Sequence, residues 1–300
     1  MIPFLEAVEK EDPLVCFGAV ATMVQEKGFD LSGCLGKWFL DHPDDLRWLT
    51  RQYIDAGCQL IGAGGSQGGP WKLEKWGLQD QIVEINQGVT EIIRAEMPAG
   101  SYLTGTILPT GKLLKPLGDL DPEALYHAYQ EEVTGYARGG ADAIWIMTMM
   151  DIEEAVTAVN ASKKAAPSLP VIASMAFDMT PRGARTMMGV PPRVAASRLV
   201  EAGADIVGLN CGGVTPEEAT PILAEMGKVV DTPLVSKPNA GKPEVVGDKT
   251  QWHTTPRQYA ENAADWVAAG AKIVGGCCGS TPAHAAKIGE VLKRNATDRR

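Results

Sequence analysis

Apolar positions along the chain gather in short continuous runs, separated by stretches of helical period. One phrase recurs four times: a helix end, a glycine stop, then an apolar run. The copies centre on Gly57, Gly139-Gly140, Gly203 and Gly270. They lead into Leu60-Ile61, Ala143-Ile144-Trp145-Ile146, Ile206-Val207 and Ile273-Val274. In each, glycine stands where a helix C-terminus needs a residue that tolerates positive φ. The unbroken apolar run after it fits a strand buried on both faces, as in parallel sheets. Further runs lie at Val15 to Thr22, Tyr102 to Ile107, Val171 to Ala176 and Pro233 to Ser236. The pattern therefore predicts eight strands, near residues 15, 60, 103, 144, 172, 206, 234 and 273. Three intervening helices open with Pro near the first position and acids in the first turn. Their starts are His42-Pro43-Asp44-Asp45, Asp121-Pro122-Glu123 and Thr215-Pro216-Glu217-Glu218.

Eight β/α units in 300 residues predict an α/β fold, a single (β/α)8 TIM barrel occupying residues 1–300. The competing architecture is an open doubly wound sheet, but no Gly-x-Gly-x-x-Gly fingerprint follows the first strand. In such a barrel the active site lies at the C-terminal ends of the strands. Composition narrows the function classes. A net charge of −9 argues against a nucleic-acid partner, which would require clustered Lys and Arg. No apolar run approaches about 18 residues, so a membrane span is not expected. The segment Met1-Ile2-Pro3-Phe4-Leu5-Glu6 lacks the basic start and apolar core of a signal peptide, so a cytoplasmic location is expected. Six cysteines are too few for a disulfide scaffold and are read as thiols or metal ligands.

The cysteines carry the chemistry. The sixth strand ends Gly208-Leu209-Asn210-Cys211-Gly212-Gly213. The eighth ends Gly275-Gly276-Cys277-Cys278-Gly279-Ser280-Thr281-Pro282-Ala283-His284. Neighbouring cysteines in a regular strand point to opposite faces, but the flanking glycines let the backbone leave strand geometry. Both sulfurs can then turn toward Cys211. Three thiolates with one open position describe a catalytic Zn2+ site at the C-terminal face, and +2 minus 3 leaves a net charge of −1. Taken alone, Cys211 reads as a small buried hydrophobe and the adjacent pair as a redox switch; together they read as zinc ligands. Cys16, Cys34 and Cys58 lack such a setting and read as core or surface thiols, with Cys16 on the first strand.

The two cysteine motifs resemble those of the homocysteine S-methyltransferase family, and the resemblance covers almost the whole chain. Phe17-Gly18-Ala19-Val20-Ala21-Thr22 stands at the family's Asp-Gly-Ala-Met-Gly-Thr opening. Pro109-Thr110-Gly111 and Lys115-Pro116-Leu117-Gly118 are similar to the segment after strand three. Lys237-Pro238-Asn239-Ala240-Gly241 is similar to the Pro-Asn-Ala-Gly loop after strand seven. The resemblance implies a methyltransferase in which zinc activates a thiol. Matching the motifs gives Cys211, Cys277 and Cys278 as metal ligands. It gives Phe17, Gly62, Met147, Thr148, Asn210 and Asn239 as substrate-facing positions.

The departures fall where the family grips homocysteine. Phe17 replaces the opening Asp, Gly62-Ala63-Gly64-Gly65-Ser66 replaces Glu-Thr-Asn-Thr-Phe, and Met147-Thr148 replaces a Glu-Thr pair. A neutral side chain cannot stand in for a charge partner in a desolvated pocket. The acceptor is therefore expected to differ from plain homocysteine. Phe17, Trp145, Met147, Met149, Met150 and Met175 are candidates for a soft apolar rim, and alternation sends about half of them elsewhere. Gln67-Gly68-Gly69-Pro70-Trp71 is expected to form a flexible lid. Three readings follow. The first is a zinc-dependent S-methyltransferase with an altered small-molecule thiol acceptor or a methyl-corrinoid donor. The second is a demethylating enzyme that moves a methyl from a methoxy or methylthio substrate to a corrinoid. With the barrel using the whole chain, that cobalamin is expected on a partner protein. The third is a non-catalytic zinc barrel.

Overall fold

All four glycine stops hold left-handed backbone: φ is +86° at Gly57, +88° at Gly140, +104° at Gly203 and +105° at Gly270. A Cβ there would crowd the following carbonyl, so glycine ends the helix without strain. Each stop releases the chain into a strand. The structure, a computed structural model, describes residues 2–10, 12–246 and 249–298.

The barrel strands are β1 (Leu14–Val15), β2 (Leu60–Ala63), β3 (Tyr102–Ile107) and β4 (Ala143–Met149). They continue with β5 (Val171–Met175), β6 (Ile206–Asn210), β7 (Leu234–Lys237) and β8 (Ala271–Val274). All neighbours pair in parallel, and β1 pairs with β8. A parallel bridge between Cys16 and Leu60 joins β1 to β2 and closes the ring. The Phe17 N–H donates to the Leu60 carbonyl at 2.9 Å across the same seam. The chain is thus a (β/α)8 barrel with a strand at each of the eight expected places, but the first run, Val15 to Thr22, is strand only at its start: β1 ends at Val15 and Ala21–Val24 is helical.

The helices start as their sequences dictate. Asp121 caps the helix Pro122–Arg138 by accepting from the N–H groups of Glu123 and Ala124. Thr215 and Glu218 form a capping box at the start of Pro216–Met226. Helix Ile82–Arg94 buries Ile82, Ile85, Val89 and Ile93 on one stripe against the sheet. Two antiparallel ribbons interrupt the β/α rhythm at the C-terminal face. One pairs Asp178–Thr180 with Gly183–Arg185 after β5; the other pairs Glu244–Val246 with Lys249–Gln251 after β7.

The segment expected to be a lid is instead tied down. Gln67 Oε1 accepts from the Leu35 N–H at 3.1 Å, and the Ser66 hydroxyl donates to buried Glu132. Gly68 and Gly69 are buried, and Pro70 opens a short helix, Pro70–Leu73. The two glycines are there because the loop packs against Pro109 and Glu132, where a Cβ has little room, and not because the loop must swing.

Candidate metal centre

Cys211 follows the last residue of β6, and Cys277 and Cys278 follow β8. Cys211 has a φ of +58°, unusual for a residue with a side chain. This turn carries its sulfur inward to 3.8 Å from the sulfur of Cys278. The sulfur atoms of Cys211, Cys277 and Cys278 all lie within 4.8 Å of one another. A disulfide needs about 2.05 Å, so this spacing describes separate thiols. Three sulfurs at about 2.3 Å from one tetrahedral zinc stand about 3.8 Å apart. The residues present therefore fit a zinc ion by spacing and by donor type.

The trio is electrostatically uneven. Cys277 takes hydrogen bonds from Cys211 and Cys278 and is held well below the ordinary thiol range. Cys211 is pushed upward, first by its hydrogen bonds with Cys277 and Cys278 and then by burial. Of the two, Cys277 is the one favoured as a thiolate.

Two asparagines hold the frame. Asn210 is fully buried; its Oδ1 accepts from the Thr148 N–H at 2.7 Å and from the Ser174 hydroxyl at 2.6 Å. Its Nδ2 donates to Thr148 Oγ1 at 2.7 Å and lies 3.8 Å from the Cys277 sulfur. Asn239 spans the two cysteine loops. Its Nδ2 donates to the Gly212 carbonyl at 2.6 Å, and its Oδ1 accepts from the Cys278 N–H at 3.1 Å. Tyr259 adds a clamp, its hydroxyl lying 2.8 Å from both the Pro238 and the Gly275 carbonyls. The polar atoms of both asparagines are thereby engaged by the protein. His284, at the end of the second motif, does not join the trio. Its ring spans the Thr281 N–H and the Thr254 carbonyl, at 3.1 Å each, and so pins the loop to the final helix.

The floor of the mouth is aromatic. Phe17 packs edge-on against Trp145, with ring centroids 5.9 Å apart. The Phe17 ring covers Gly62, where a Cβ would collide with it. The Trp145 indole N–H donates to Ser174 at 3.0 Å, and Met147 is buried one turn of the pleat further along β4. Thr148 breaks the strand with a φ of +62°, at a register shift in β4. Met149 and Met175 are wholly buried. Cys16, Cys34 and Cys58 are buried core thiols, and burial pushes the Cys16 thiol up to about 12. Sequence reasoning missed two residues of this floor, Ser174 and Lys237. For Lys237 a signal was available: a cation closing a strand that otherwise carries no charge, Leu234-Val235-Ser236-Lys237.

The family model described as homocysteine S-methyltransferase matches residues 14–292. The chain belongs to the homocysteine S-methyltransferase family. It is 28% identical over 294 residues to a methionine synthase of Mycobacterium leprae, covering 92% of this chain and 24% of that protein. It is 29% identical over 288 residues to a methionine synthase of Mycobacterium tuberculosis, covering 90% of this chain and 24% of that protein. The chain thus spans about a quarter of the length of these curated relatives. The metallated form of the homocysteine methyltransferase MmuM from Escherichia coli shares the fold, with a TM-score of 0.78 at 24% identity. That match covers 96% of this chain and 99% of that one. Membership places the protein among methyltransferases, and the cysteine trio lies inside the matched region. Among the described residues no helix is long and apolar enough to cross a membrane.

Proposed function

We propose that this protein is a zinc-dependent methyltransferase whose acceptor is a small thiol other than plain homocysteine, with the whole chain, 1–300, as one barrel domain. The observation that carries the proposal is the convergence of three sulfurs within 4.8 Å at the ends of β6 and β8. Cys211, Cys277 and Cys278 would hold the metal. Zinc supplies Lewis acidity, which turns a thiol of pKa about 8.5 into a thiolate at neutral pH.

The remaining work falls to the chain's own groups. Asn210 fixes the Cys277 sulfur and the Thr148 backbone in one unit. Asn239 sets the distance between the two cysteine loops. Phe17, Trp145 and Met147 exclude water from the mouth, which strengthens charge interactions there. Gly62 leaves room for the Phe17 ring and places no acid beside it. The ammonium of an amino acid finds no carboxylate at Phe17, Gly62 or Met147, which is what supports an acceptor unlike homocysteine.

A second reading keeps the same site and reverses the flow: a methoxy or methylthio substrate gives its methyl to a corrinoid on a partner protein. The apolar floor of Phe17 and Trp145 favours it, since it suits a methylated, uncharged body. Methyl-transfer assays with a panel of simple thiols and a methyl-corrinoid donor test the first reading. Thiol methylation lost on metal chelation and restored by zinc supports it. Methyl loss from a methoxy or methylthio compound only when a reduced corrinoid is present would favour the second.

A further inference from the structure

Lys237, the last residue of β7, is 1% exposed. Its ammonium lies 4.6 Å over the centre of the Phe17 ring. Among the described residues no carboxylate pairs with it. In the sheet it is the register partner of Asn210, whose amide reaches Cys277. The Lys237 carbonyl also accepts from the Cys211 N–H at 3.2 Å, so the lysine stands directly beside the sulfur trio.

Taking an ammonium out of water without a counter-charge is strongly unfavourable. The Phe17 ring face returns only part of that cost. The sulfur trio can offset part of the remainder, but those sulfurs also face the metal. A buried cation beside the sulfurs repels any ligand ammonium that reaches them and attracts an anion. The neighbouring surfaces, Phe17, Trp145 and Met147, accept only an apolar body. The site is therefore complementary to a short apolar molecule with sulfur at one end and negative charge at the other.

We propose that Lys237 is a specificity-determining residue that receives a carboxylate at the non-reacting end of the substrate, so that the site takes small carboxylate-bearing thiols lacking an ammonium. The proposal rests on the thiol-methyltransferase reading above and names its substrate class.

Three thiols of similar size separate the possibilities: 3-mercaptopropionate, 2-mercaptoethanol and 2-aminoethanethiol. Each is titrated into the cobalt-loaded protein, with heat and thiolate-to-cobalt absorption as the readouts. The wild type should bind the anionic thiol at least about tenfold more tightly than the cationic one, the difference one well-placed charge contact supplies. Lys237→Met should erase that preference while 2-mercaptoethanol still binds, and Lys237→Arg should keep it. Metal content is measured for every variant. Equal binding of all three thiols to the wild type would overturn the assignment of Lys237 while leaving thiol binding at the metal intact. A preference that survives in metal-loaded Lys237→Met would overturn it as well, leaving the lysine as a counter-charge for the sulfurs alone. Failure of every thiol to perturb the cobalt absorption would overturn both this proposal and the thiol-methyltransferase reading.

Discussion

Thr148 and Asn210 hold each other by two opposed hydrogen bonds. The Thr148 N–H donates to Asn210 Oδ1 and the Asn210 amide donates to Thr148 Oγ1, each at 2.7 Å. Thr148 is β-branched and sits at positive φ, a conformation that costs about 1–3 kcal/mol and persists only where its surroundings enforce it. The pair enforces it, and the same asparagine approaches the Cys277 sulfur. Geometry on β4 is thereby coupled to the cysteine trio through one side chain.

Asn210→Ala should strip the Thr148 N–H and the Ser174 hydroxyl of their acceptor. The expected loss is about 1–3 kcal/mol of stability, since the part-buried Thr148 N–H loses its acceptor while the Ser174 hydroxyl falls back on the Ile146 carbonyl at 3.3 Å. Thermal unfolding checks the stability, and zinc retention against a chelator checks the coupling. An unchanged melting temperature together with unchanged zinc retention would refute it.

Gly62 and Phe17 should behave as one unit. Gly62→Ala is expected to cost about 1–3 kcal/mol by driving the ring from its seat. In a Phe17→Ala background the same change should cost far less. A double-mutant cycle in denaturant measures the coupling, expected at about 1 kcal/mol or more. Additive effects would mean that the ring moves aside freely.

The strands and their order were legible because parallel barrel strands are apolar on both faces and their glycine stops are conformationally obligatory. Gly57, Gly140, Gly203 and Gly270 carry that signal by themselves. The sulfur trio was legible because glycines flank Cys277 and Cys278 at a strand end. The Thr148–Asn210–Ser174 network was not, since it joins three strands and no local spacing encodes it. The loop at Gln67–Trp71 looked mobile from its glycines. Burial of Gly68 and Gly69 and the hydrogen bond from Ser66 to Glu132 required tertiary contacts to see. Lys237 was visible as a letter but not as a buried charge over Phe17.

Glu132 gives the protein a pH dependence. Burial raises its carboxyl from 4.5 to about 8, against the lowering effect of Ser66. The folded state therefore holds a proton that the unfolded state releases. Stability from this group is fully present below about pH 4.5 and is lost as pH rises through about 8. The slope across that window is about 1.4 kcal/mol per pH unit at most. Glu132→Gln should flatten it, making the variant relatively more stable at pH 8 than at pH 5. Denaturant midpoints at several pH values decide this, and identical profiles for the two proteins would refute it.

L-homocysteine should bind the metal-loaded protein weakly. Without a carboxylate at Phe17, Gly62 or Met147, the loss is about two to three orders of magnitude in affinity. Met147→Glu should recover part of it. Calorimetric titration measures both proteins, and micromolar binding to the unmutated one would show that other residues hold the amino acid.

Zinc content, measured side by side in the wild type and in the Cys277→Ala/Cys278→Ala variant, tests the three-thiolate centre most directly. About one zinc per chain is expected in the wild type, removable by chelation and carrying methyl transfer with it. The double variant, left with Cys211 alone, should hold none while keeping the barrel's circular-dichroism signature. Full zinc occupancy in that folded variant would contradict the metal centre assigned to Cys211, Cys277 and Cys278.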